Sequence, residues 1–286
     1  MSRLALLTTL GALATAASIA GCGSSSSGVT APTVAPARIF QLSGFSPSQP
    51  VAAGRPTTVS FTVQQPNGNP LTSYRTGAGP HTGVHLIIVR SDLAYIIHEH
   101  PPVGPNGLLR QTVTFPAPGP YRVLVDLYPN IPGGQPNFQL LRNVTVTGPY
   151  RPRPLPPFKA TRVVDGYHFS IEGGRPALHA IQAQFVNVDV RDPRGRKVTF
   201  VPWFGALAHA IFFHSGSLDY FHTHVCGAGA ANCASRLGTT SISGTSTTPG
   251  KLTLGVLLPV PGTWELFVQA MLGGRVVTVP YTLEAT

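Results

Sequence analysis

Acidic residues are scarce in this chain. Asp and Glu total 10 of 286 positions, against 20 Lys and Arg, and they fall as scattered single residues. General acid–base catalysis needs positioned titratable groups, commonly a close carboxylate pair, and the sequence offers none. It also lacks a Gly-x-Ser-x-Gly elbow, a phosphate-cradling glycine loop and a His-Glu-x-x-His helix motif. The reading is therefore not an enzyme. Methionine is limited to Met1 and Met271, which weighs against a methionine-rich Cu(I) site. Beyond the first 20 or so residues no run approaches ~18 apolar positions, so no later segment reads as a spanning helix. The formal charge of +10 is too scattered to mark a nucleic-acid surface. Its one cluster, Arg151, Arg153, Lys159 and Arg162, surrounds a proline-rich stretch and suits a linker near anionic lipid or cell wall.

Glycine and proline are abundant instead, at 31 and 29. With polar positions drawn mostly from Ser, Thr, Asn and Gln, that composition fits many short strands joined by turns. The N-terminus has the layout of a secretory signal: Arg3, then an uncharged, mostly apolar run from Leu4 to Ala17, then small residues before Cys22. Ile19-Ala20-Gly21-Cys22 resembles the lipobox of bacterial lipoproteins. That resemblance implies cleavage after residue 21 and a lipid on Cys22, which would anchor an otherwise exported chain to the membrane. The competing reading is an ordinary signal peptide with an incidental cysteine. Residues 22–36, with four consecutive serines, read as a flexible tether.

The remaining chain repeats itself. Two alternating runs, Thr57–Val63 and Ala183–Val190, each end in a turn carrying proline and glycine, Gln65–Pro70 and Asp192–Lys197. A His-x12-His-x-His segment follows each: His85, His98 and His100, then His209, His222 and His224. Next, Phe115-Pro116-Ala117-Pro118-Gly119-Pro120-Tyr121 matches Leu258-Pro259-Val260-Pro261-Gly262-Thr263-Trp264, and each aromatic opens an apolar strand. The order of landmarks predicts two β-sandwich repeats, 37–147 and 160–286, with a proline-rich linker at 148–159. About seven strands per repeat fit an immunoglobulin-like sandwich, and a cupredoxin-like barrel would read similarly. An aromatic two residues after the turn glycine is the mark of a tyrosine corner.

If residues 91–92 and 215–216 form two-residue turns, His85 lies opposite His98 and His209 opposite His222. His100 and His224 then share the same faces two residues on. Three imidazoles on one face per repeat suit Cu(II) or Zn(II); a register slip of one residue would scatter them. The alternative is structural, with the histidines stabilising a hairpin in an envelope lipoprotein that binds a protein partner and holds no metal. His81, His168, His179 and His214 read as surface residues. Cys226 and Cys233 read as a disulfide across a small loop, given an oxidising compartment. The rival, a His222/His224/Cys226 copper site, needs a free thiolate that the disulfide removes.

The segments His85–Leu93, His98-Glu99-His100-Pro101 and Thr114–Arg122 resemble extracytoplasmic immunoglobulin-like domains of the YtkA-like and FixH-like group. Some members of that group accompany copper-handling proteins. The second copy resembles it more loosely, since Val225 replaces the proline after the histidine pair and the cysteine loop intrudes. The resemblance covers about 45 residues per copy and implies the domain type more than any activity.

Overall fold

The computed structural model describes residues 39–75, 83–228, 234–237 and 240–286. The leader, Cys22, the tether, His81 and Cys233 lie outside them. Among the described residues no helix is long and apolar enough to cross a membrane.

The chain is all-β. The first sandwich comprises β1 (Gln41–Ser46), β2 (Val51–Ala52), β3 (Pro56–Gln64), β4 (Val84–Arg90), β5 (Ile96–Glu99), β6 (Leu108–Thr114), β7 (Gly119–Leu127) and β8 (Phe138–Thr147). These strands form two sheets, β1-β3-β6 and β2-β8-β7-β4-β5. That is an immunoglobulin-like arrangement in which the first strand is divided between the layers. The second sandwich begins with β9 (Thr161–Val164), β10 (Tyr167–Ile171), β11 (Gln184–Arg191), β12 (Ala208–His214) and β13 (Tyr220–Cys226). A hairpin of β14 (Ser235–Leu237) and β15 (Thr240–Ile242) follows, then β16 (Gly244–Thr245), β17 (Lys251–Val256), β18 (Gly262–Leu272) and β19 (Arg275–Ala285). Here β16 pairs with both β13 and β17, so the layers join into one nine-stranded sheet, β19-β18-β12-β13-β16-β17-β11-β10-β9.

Local chemistry explains these elements. In β3, Val59, Phe61 and Val63 are buried at every second position, and Val186, Val188 and Val190 do the same in β11, as one covered face requires. The turns after these strands are alike: Gln65 N donates to Asn69 O at 2.8 Å, and Asp192 N donates to Arg196 O at 2.8 Å. The tyrosine corner is present in both copies. Tyr121 Oη donates to Ala117 O at 2.9 Å, and Trp264 Nε1 donates to Val260 O at 3.1 Å.

Strands β4 and β12 differ from β3 and β11 because both of their faces are covered. Leu86 and Ile88 enter the core of the first sandwich, and Ala208, Ala210 and Phe212 enter that of the second. The alternate residues form a third core between the sandwiches: Ile87, Val89, Leu93 and Leu124 pack with Ile211, Phe213, Leu218 and Phe267. A buried side chain of this kind contributes roughly 1.5–3 kcal/mol, so eight of them make a strong joint. The proline-rich linker is fastened to it. Leu155 packs on this core, and Arg153 N donates to Asp92 Oδ2 at 2.8 Å. Asp92 is itself ion-paired with Arg90 at 2.7 Å.

Candidate metal centre

The histidine hairpins turn through four residues, not two. Arg90 N donates to Tyr95 O at 3.0 Å, and His214 N donates to Asp219 O at 2.9 Å. The partner of His98 is therefore Ile87, and that of His222 is Ile211. His209 faces His224, and the same register brings His85 level with His100. The expected pairing was two residues off. An even shift leaves every side chain on its original face, so the three imidazoles of each hairpin still point one way. The longer turns have a physical cause in the joint. Leu93 and Leu218 adopt φ 61° and 60°, costly for a leucine, and each buries its side chain in the inter-sandwich core.

The expectation of one separate triad per sandwich also needs correcting. The histidines lie on the faces that press together, so all six meet in one cluster. Across the joint, ring centroids are 4.9 Å apart for His85–His222 and 4.8 Å for His98–His209. His98–His222 is 5.2 Å, His85–His224 5.3 Å and His100–His209 6.2 Å. Exchanging the sandwiches maps these distances onto one another, which makes the cluster approximately twofold. Ring nitrogens lie 3.1 Å apart for His98 Nε2–His100 Nε2 and for His209 Nδ1–His222 Nε2.

Three sets of three histidines have donor atoms within 4.8 Å of one another: His85/His98/His100, His85/His222/His224 and His98/His209/His222. The first is the triad expected from the first hairpin; the other two mix the sandwiches. Among the described residues no cysteine or carboxylate joins a set. His85, His98, His209 and His222 are buried, whereas His100 and His224 are half-buried at the rim.

Burial dominates the electrostatics. It holds His85, His98 and His222 well below the usual imidazole range, helped by repulsion from neighbouring histidines, and lowers His224 to about 4. These rings are neutral at pH 7, which is the metal-binding form. His85 Nδ1 and His224 Nε2 are buried without a hydrogen-bond partner, a state that ordinarily costs stability. An all-imidazole donor set of this kind fits Cu(II) or Zn(II).

Four flanking residues escaped the sequence reading. Asp126, beside His85 on β7, places Oδ2 4.0 Å from His85 Nδ1. Burial raises its carboxyl to about 6, opposed by hydrogen bonds from Gln139 and Tyr220. Gln269 holds the matching position on β18, and its Oε1 lies 3.1 Å from His98 Nδ1. The signal was there: Asp126 and Gln269 each interrupt an apolar strand five residues after the corner aromatic. Trp203 and Phe204 cover the rim through a tight turn in which Phe204 adopts φ 48°. Phe204 stacks on His100 at 4.0 Å and 15°, and Trp203 O lies 3.0 Å from His209 Nε2.

The other histidines stand apart. His168 and His179 are exposed, and His214 bonds to Ser217 and packs on Trp264. Cys226 is disulfide-bonded, while its expected partner, Cys233, lies outside the described residues.

No curated protein matches the chain. Among solved structures it is similar to FdeC, an Escherichia coli adhesin, at 15% identity and TM-score 0.26, covering 86% of this chain and 63% of that one. It is also similar to invasin, a bacterial integrin-binding protein, at 15% and 0.21, covering 86% and 39%. S-layer protein SbsC domains 4 and 5 match at 13% and 0.23, covering 86% and 97%. The chain thus spans less than two thirds of the adhesin and invasin chains, and likenesses this distant carry no functional argument. The family match is not to the YtkA-like or FixH-like group, whose copper association therefore lends no weight. It covers residues 43–135 and 161–286, one stretch in each sandwich. The chain belongs to the family described as a domain of unknown function, DUF8832.

Proposed function

We propose that this protein captures or buffers Cu(II) or Zn(II) outside the membrane, through the histidine cluster between its two sandwiches. The observation that carries this reading is the convergence of six imidazoles, four of them held neutral by their surroundings, with three sets of donor atoms within 4.8 Å. The bound ion would be a Lewis acid held by nitrogen ligands. The chain's own residues orient the rings, cover the rim with Trp203 and Phe204, and leave His100 and His224 half-buried there. In this reading the chain is exported and tethered by a lipid on Cys22.

A second reading draws on the hydrogen bonds. His98 contacts Gln269, and His209 contacts Trp203 O and His222, so part of the cluster is satisfied without an ion. The histidines would then only cement two sandwiches of an envelope protein whose surface binds a protein partner.

Titrating the full chain in detergent with Cu(II) and Zn(II) separates the two. Micromolar or tighter binding that is lost in His98→Ala/His100→Ala supports capture. Weak binding, equal in both proteins, hands the case to the partner-binding reading.

A further inference from the structure

We infer that the cluster is a two-ion centre, with three imidazoles for each ion; this rests on the metal-binding reading above. A single ion using all six histidines needs six nitrogens around one point, none farther apart than about twice a 2.0–2.1 Å bond. Among the described residues the geometry contains no such point: donor atoms within 4.8 Å of one another occur in threes, any two of which share one histidine. A single ion on three ligands leaves three further imidazoles gathered beside it, a ligand type that suits a second ion of the same kind.

The approximate twofold of the cluster argues the same way. Two of the three sets have a counterpart, by exchange of the sandwiches, that uses the other three histidines; the counterpart donor atoms lie farther apart than 4.8 Å, so the second ion requires its rings to turn. His85/His98/His100 maps onto His209/His222/His224, whose rings are 4.6–5.3 Å apart. His85/His222/His224 maps onto His98/His100/His209, whose widest spacing is the 6.2 Å of His100–His209. Both divisions share the six histidines as three and three, and both put the two ions side by side across the joint. Ring spacing carries the inference: the rings of His209/His222/His224 lie 4.6–5.3 Å apart, as close as the 4.4–5.8 Å of His85/His98/His100.

The two positions are not equivalent. Asp126 stands beside His85, where its mate beside His209 is the neutral Gln269. A cation near His85 is favoured by that carboxylate, while the second ion enters against the charge of the first. Binding in two steps follows, with the second at least tenfold weaker.

The test is titration of the full chain with Cu(II) by calorimetry, together with electron paramagnetic resonance at one and at two equivalents. The expected result is two ions per chain. The signal should be that of isolated Cu(II) at one equivalent, with spin coupling or signal loss at two. His209→Ala should retain one ion and lose the coupling; His224→Ala, at the rim, repeats that test should His209→Ala misfold. Saturation at one ion, with an uncoupled signal throughout, overturns the two-ion centre and leaves the capture reading standing. No binding overturns both.

Discussion

At the scale of single residues, Asp126 is the informative one. It is a buried carboxyl raised to about 6, 4.0 Å from a ring nitrogen of His85. At 4.0 Å it makes no hydrogen bond to that ring, so it acts on a bound cation through its charge; losing a group next to the ligands typically costs about ten- to a hundredfold in metal affinity. In the metal-free protein the same group is a burden above pH 6, where it must ionise without a cation. Asp126→Asn should therefore weaken Cu(II) binding by about ten- to a hundredfold and leave the metal-free Tm at pH 8 unchanged or higher. Calorimetry and thermal melts measure the two effects. A fall in both would make Asp126 a plain structural residue. Phe204 is the other residue of note at this scale. Its left-handed backbone is strained for an aromatic, and its stacking on His100 gives that strain a place beside the cluster.

Among the elements, the joint between β4–β7 and β12–β18 governs whether the cluster exists. Phe213 is fully buried there, so Phe213→Ala should cost about 3–5 kcal/mol, read by denaturant unfolding. Phe185, 59% exposed on β11, serves as the control, since exposed substitutions usually stay within about 0.5 kcal/mol. A loss at Phe213 no larger than at Phe185 would mean the sandwiches do not depend on this contact. The strands themselves were legible. Alternation in Thr57–Val63 and Ala183–Val190 announced one covered face, and the Pro-Gly-x-aromatic landmark announced the corner. Turn length was not legible, because Ser91 and Ser215 begin two-residue and four-residue turns equally well. The face of the histidines survived only because the error was even. Their union into one cluster had a partial sign: Leu86 to Val89 and Ile211 to Phe213 are continuous apolar runs, the pattern of strands covered on both sides. The sequence does not say which surface does the covering, so a cluster shared by two sandwiches looked like two separate triads.

For the whole molecule, location and acid stability are the testable properties. Lipidation of Cys22 predicts that the wild-type chain sediments with membranes and that Cys22→Ala is released. The mass of the N-terminal peptide checks this directly, and an unmodified peptide would sink the anchor. Acid stability follows from four imidazoles of the cluster, three buried and one half-buried, and from three carboxyls of opposite effect. His85, His98, His222 and His224 have folded pKa values below 6.5. Below about pH 6.5 the unfolded chain takes up protons that the fold refuses, and stability drops by about 1.4 kcal/mol per pH unit for each group. Asp126 and Glu265 are raised to about 6 and about 7, and burial raises Glu99 as well. The fold keeps their protons where the unfolded chain has lost them, so their contribution is greatest in acid and falls away through pH 4 to 7. Four groups against three leave a net loss on acidification, shallowest where the windows overlap. The metal-free Tm should fall steadily from pH 7.5 to pH 5. A saturating ion should raise Tm at pH 7.5 by mass action and lose that advantage as protons compete for the ligands. A metal-free Tm that holds level or climbs toward pH 5 would mean that these rings accept protons inside the fold, and the neutral cluster on which ion capture depends would not exist.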